Sequence, residues 1–179
     1  SGPTPETARS AGGHRAGVGG AGGEVEESAR RSAERGVGHI VALRGDPAGG
    51  IGTSYAAHPD GYRNSADLVA GIKRRHSDVE VSVSAYPEKH PESADFNADI
   101  DTLQAKVDAG ANRAITQVFF DNDLYFRYLD QVRARGIKIP LVPGILPMHH
   151  FKPARHFLHK AGPTVPSCLG GHTRRPDYA

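Results

Sequence analysis

Little in this sequence is suited to covalent stapling, membrane insertion or binding a polyanion. One cysteine, Cys168, occurs in 179 residues; this excludes an intramolecular disulfide framework and fits a reducing compartment. No apolar run approaches the roughly 20 residues a membrane-spanning helix needs, and no basic-then-apolar segment opens the chain. Charge of one sign is scarce too. The 22 Lys and Arg against 20 Asp and Glu leave a net charge of +2. No basic run is long enough to track a phosphate backbone, so a nucleic-acid partner is not expected. Hydrophobic residues make up 37%, few for a globular chain, so the large ones must be concentrated. They are, between Val37 and Leu158. The chain reads as one soluble, cytoplasmic domain with no membrane partner, and a homo-oligomer is compatible with it.

What is present is an alternation. Residues 39–43 (His-Ile-Val-Ala-Leu) form a run long enough for a strand buried on both faces, ending abruptly in Arg44-Gly45-Asp46. A glycine-capped helix leading into such a strand recurs around Gly36, Gly110 and Gly136. The pattern predicts strands over 39–43, 79–85, 114–119 and 139–145, and helices over 24–35, 66–76, 99–109 and 123–135. In the last of these, Leu124, Tyr128, Leu129 and Val132 form the stripe of a helix lying on a sheet. Alternation of this kind implies parallel strands with right-handed crossovers. About four βα units amount to an incomplete α/β barrel of the (β/α)8 TIM type, since the whole takes about 250 residues. An open doubly wound sheet is the runner-up, but no strand is expected to be followed by a G-x-G-x-x-G turn. Residues 1–23 are glycine-rich and poor in large apolar side chains, so they are expected to be poorly ordered or degenerate. Residues 24–160 form the partial barrel, and 161–179 an irregular tail.

The helix-to-strand links are short, whereas the strand-to-helix links at 44–64 and 86–98 are long and polar. Function in such folds sits on the second kind. Taken alone, Arg44-Gly45-Asp46 is more simply a surface ion pair, or an adhesion-type tripeptide if it stands on an exposed loop. Asp99, Thr102 and Lys106 form a polar stripe opposite Ile100, Leu103 and Val107, ordinarily a solvated helix face. His149, His150, His156 and His159 cluster in sequence, the last two at i, i+3 within a segment, 151–160, that could be helical. No cysteine or acid accompanies them, so a metal is not expected.

Four segments in order, HIVALRGD, SAYPEKHPES, KVDAGANRAITQVFFD and VPGILP, resemble the methylenetetrahydrofolate reductase family over about residues 22–160. The resemblance implies a flavin-dependent (β/α)8 barrel that reduces 5,10-methylenetetrahydrofolate to 5-methyltetrahydrofolate with NAD(P)H, in the one-carbon metabolism that feeds methionine synthesis. It implies FAD as cofactor, held by His14, Arg44, Gly45, Asp46, Ser65, Tyr86, His90, Asp99, Thr102 and Lys106. Asp46 would also be the catalytic residue, facing both flavin and pterin. A carboxylate there disfavours the anionic reduced flavin and so assists hydride departure. Gln117 would hydrogen-bond the pterin and Phe157 would stack on folate or nicotinamide, so Asp46, Gln117 and Phe157 form the implied substrate set.

The departures are specific. Asn64 and Ser65 replace a tyrosine-led small-residue pair, Thr102 stands where asparagine is common, and Pro153 replaces a polar residue. His14 matches a cofactor-binding histidine, but Arg15, Ala16, Gly17 and Val18 make a poor strand. The family's first strand, bearing its general-acid glutamate, has no counterpart here. A catalytically inactive fragment, at most a weak flavin binder, is therefore the rival expectation.

Overall fold

The computed structural model describes residues 14–17, 22–43, 59–147, 158 and 162–167. Their order is β1 (His14–Gly17), α1 (Gly22–Glu34), β2 (His39–Leu43), α2 (Ser65–Arg75), β3 (Glu80–Ala85), α3 (Phe96–Asp108), β4 (Arg113–Thr116), α4 (Asn122–Ala134) and β5 (Leu141–Val142). The strands lie in the sheet in sequence order, β1-β2-β3-β4-β5, and every neighbouring pair is parallel.

That winding decides between the two expected architectures. A doubly wound sheet reverses its strand order at a switch point, and among the five described strands the order does not reverse. Each right-handed crossover therefore carries its helix to the same face. Ile40 and Val81 are in register, as are Ala42, Val83, Ala114 and Leu141 through successive pairs. Parallel strands in register share a face, and this row packs in one core with Val25 and Ala29 of α1, Leu68, Val69 and Ile72 of α2, Ile100 and Leu103 of α3, and Tyr128 and Val132 of α4. The result is a parallel sheet with helices on one side, a partial barrel-like arrangement.

Two expectations change. Residues 14–17, placed in a poorly ordered segment, form an edge strand in register with Ile40 to Leu43. Pairing there rests on backbone groups, which a glycine- and alanine-containing stretch possesses as fully as any other. The six residues 17–22, Gly-Val-Gly-Gly-Ala-Gly, consequently do place a G-x-G-x-x-G pattern between a strand and a helix. Among the described strands the sequential order supplies no switch-point crevice for it to serve.

The second change is β5, expected over 139–145 and reduced to Leu141–Val142. Pro140 and Pro143 flank it and neither can donate a ladder hydrogen bond; Pro140 contributes only its carbonyl, to Ala114 N at 2.9 Å. Among the described residues the exposed large apolar side chains are Phe126, Val142 and Ile145, all beside this edge or on α4 next to it.

The opposite face of the sheet carries hydroxyls and charges. His39 Nε2 lies 2.6 Å from Ser82 Oγ on the neighbouring strand. Glu80 sits 4.0 Å from His39 Nδ1 and receives a 3.0 Å bond from Arg113 of β4. Burial lowers the His39 pKa from 6.5, Arg113 lowers it further, and Glu80 opposes both. A histidine depressed in the folded state binds its proton more readily when unfolded. Its contribution is thus complete above the unfolded value and is lost as pH falls from about 6.5 toward the folded value. The melting temperature of the wild type should therefore drop more than that of His39→Gln between pH 7.5 and 5. Parallel profiles for the two proteins would contradict the assignment.

Candidate functional site

A helix that follows a parallel strand runs back antiparallel to it, so strand C-termini and helix N-termini share one end of the sheet. That end collects Tyr86 and Gln117, the residues directly after β3 and β4, together with Ser65 and Asp99 in the first turns of α2 and α3. Gln117 N donates to Ala85 O at 2.8 Å, so the two strand ends are joined directly. The Gln117 side chain folds back and its Oε1 accepts from Val118 N at 3.0 Å.

The β3–α3 connection begins with a turn in which Lys89 N donates to Tyr86 O at 3.2 Å. Lys89 adopts φ 73° there, a left-handed conformation costly for a side-chain-bearing residue. This turn brings the ring of His90 to 4.6 Å from that of Tyr86, edge to face. His90 Nδ1 accepts from Glu92 N at 3.1 Å.

Asp99 fastens the loop from below. It is 8% exposed; its Oδ2 accepts from His90 N at 3.1 Å and its Oδ1 from Ser93 Oγ at 2.9 Å. It is delivered by the helix start, where Asp95 caps α3 by accepting from Ala98 N at 2.8 Å. Tyr128 of α4 completes the support. Burial holds its phenol well above the ordinary tyrosine range, the Asp99 charge adds to this, and a hydrogen bond from the Tyr86 backbone opposes it.

Lys106 lies two turns further along α3 and is 5% exposed. A buried ammonium must be hydrogen-bonded to be tolerated, and its Nζ donates to Ser84 O at 3.0 Å and to Ser84 Oγ at 3.3 Å. The stripe Asp99, Thr102, Lys106 is thus not the solvated face its spacing suggests. Only Thr102 is exposed, its hydroxyl returned to Ala98 O at 2.9 Å. Ser65, the first residue of α2, is buried.

The structure therefore brings together Tyr86, His90 and Asp99, places Lys106 beside the end of β3, and sets Gln117 on the adjoining strand end. His14 is instead the first residue of β1, in register with Ile40 and three residues below the strand's end at Gly17. Arg44, Gly45, Asp46 and Phe157 lie outside the described residues, as do His149, His150, His156 and His159. Among the described residues no group of three or more His, Cys, Asp or Glu could hold a metal, and no helix is long and apolar enough to cross a membrane. Ser84, Ser93 and Tyr128 are supporting residues the sequence reading missed. Tyr128 looks like one more member of an apolar helix stripe, and a serine has no distinguishing signal.

Comparison with known proteins addresses the family directly. A family model described as methylenetetrahydrofolate reductase matches residues 17–174. The chain belongs to that family. The 5,10-methylenetetrahydrofolate reductase of Salmonella typhimurium (strain LT2) is 44% identical over 146 residues, covering 82% of this chain and 47% of the relative. That of Escherichia coli (strain K12) is 43% identical with the same coverage. Methylenetetrahydrofolate reductase 1 of Schizosaccharomyces pombe is 38% identical over 69% of this chain and 20% of the relative. The chain thus spans about half the length of the bacterial reductases it matches. Among solved structures, a Clostridium thermocellum protein described as binding two copies of 5-methyl-5,6,7,8-tetrahydrofolic acid aligns with a TM-score of 0.49. It is 15% identical, covering 92% of this chain and 76% of that one, a likeness too slight to bear on function.

Proposed function

We propose that this chain is the flavin-holding part of a methylenetetrahydrofolate reductase, and that its residues hold FAD weakly and complete no folate reduction by themselves. The observation that carries the reading is the convergence of Tyr86, His90 and Asp99 at one end of the sheet, with Lys106 beside the end of β3. The chemistry of this set fits a flavin dinucleotide: an edge-to-face aromatic pair for a planar ring system, and a buried ammonium for a diphosphate. Among the described residues no buried side-chain donor or acceptor lacks a partner. FAD contacts would therefore exchange with, or add to, bonds already in place.

In this reading Tyr86 and His90 face the ring system, Lys106 the diphosphate, and Ser65 and Thr102 the remaining polar edge. Gln117 orients the pterin of the folate. His14, Arg44 and Gly45 extend the FAD set, Asp46 serves FAD and folate as the catalytic carboxylate, and Phe157 stacks on the substrate. When bound, FAD supplies the hydride relay between NAD(P)H and 5,10-methylenetetrahydrofolate. The exposed Val142 and Ile145 at the β5 edge are where further strands would continue toward a closed (β/α)8 barrel in a cytoplasmic flavoprotein.

Titrating the purified chain with FAD, followed by flavin fluorescence, tests this together with NADH oxidation and 5-methyltetrahydrofolate formation. Saturable FAD binding without folate turnover is expected, and Lys106→Met should weaken it about tenfold or more, the share of one charged hydrogen-bonding group. Absence of FAD binding would overturn the flavin reading. Folate turnover would show that the chain is a complete enzyme instead.

A further inference from the structure

Glu88 stands between Tyr86 and His90 in the same loop, and its carboxylate meets a much later part of the chain. Its Oε1 and Oε2 lie 3.1 and 3.0 Å from the backbone N of Thr164. Two residues earlier, Gly162 packs against the same loop, where a β-carbon would come within 3.2 Å of Pro91 Cγ. Gly162 N donates to Leu158 O at 3.0 Å, and Leu158 is 0% exposed. The segment is therefore rooted in the interior at Leu158 and clipped to the loop surface at Thr164. Asp99 grips the loop from the α3 side, at His90 N and Ser93 Oγ. Glu88 ties it to the 162–167 segment.

We infer that Glu88 is a positioning residue: it straps residues 162–167 onto the β3–α3 loop and so holds the Tyr86–His90 pair in the arrangement that receives FAD. The use of FAD as ligand rests on the function proposed above; the strap itself does not. The loop has a physical need for an outside hold. Its turn passes through Lys89 at φ 73°, a conformation that a local sequence without glycine does not favour by itself. A carboxylate accepting from a backbone N–H makes a charge-assisted bond, stronger than its neutral counterpart.

Two variants remove the contact from opposite sides. Glu88→Ala deletes the acceptor, and Thr164→Pro deletes the donor hydrogen without touching the loop. In the full chain, each should raise hydrogen exchange in peptides covering both 86–93 and 162–167 and speed FAD release about three- to tenfold. Glu88→Gln, which keeps an acceptor oxygen, should recover most of the loss. The double variant should be no worse than the poorer single one, because both remove the same bond. Unchanged exchange in both segments would overturn the strap. Altered exchange with unchanged FAD release would overturn its role in positioning the pair. If the wild type binds no FAD, the functional reading fails separately, and the exchange measurement still decides whether Glu88 orders the loop.

Discussion

Replacing Gly144 by alanine should lower the melting temperature by about 6–12 °C, the consequence of about 3 kcal/mol in a domain of this size. The reason is a backbone approach that leaves no room. A β-carbon at 144 would lie 2.0 Å from Thr116 O and 3.1 Å from its carbonyl carbon. The obstacle is the main chain of β4, which cannot rotate aside as a side chain could. Relief requires the segment after β5 to move outward, breaking the 3.0 Å bond from Gly144 N to Thr116 Oγ1. Thr116→Val, which removes that bond but not the close approach, should cost only about 1 kcal/mol. Gly38→Ala is the control, since a β-carbon there meets nothing within 4 Å, and should melt within about 1 °C of the wild type. A Gly144→Ala protein that melts with the wild type would mean that β4 and the 143–147 segment are further apart than described.

Asp99→Ala should be the most damaging change at the candidate site, costing about 2–4 kcal/mol by urea unfolding and also weakening FAD binding. Its carboxylate is the acceptor for two donors of the loop, His90 N and Ser93 Oγ, and alanine leaves both without it. Donors stranded in a half-buried setting lose their partner without regaining full hydration. Asp99→Asn keeps one acceptor oxygen but turns amide hydrogens toward a donor, so an intermediate loss is expected. A spectroscopic reporter accompanies the unfolding data. Tyr128 is held above the usual phenol range first by burial and then by the Asp99 charge, so its ultraviolet titration should move down in Asp99→Asn. A phenol that titrates identically in both proteins would separate Tyr128 from Asp99.

The order of elements was readable where periodicity and capping agree. Leu68, Val69 and Ile72, and then Ile100 and Leu103, announce buried helix faces, and both sets lie in the core. Gly36, Gly110 and Gly136 mark helix ends and carry φ of 80°, 108° and 80°. Starts were harder to read. α3 begins at Phe96, not near Asp99, because Asp95 caps it, and in sequence that acidic cap competes with several other acidic residues nearby. β1 escaped because its pairing uses the backbone, which composition does not reveal. At the site, the residue types of Tyr86, His90 and Asp99 could be read through family resemblance. That Asp99 fastens the loop and that Lys106 is buried against Ser84 could not, since both depend on how far α3 sits from the end of β3.

The unreversed strand order has a bearing on how the molecule is made. Each strand from β2 to β5 pairs with the one synthesised immediately before it, and among the described residues no later strand is threaded between two that have already met. Assembly can therefore keep pace with synthesis one βα step at a time, with the newest edge always the growing one.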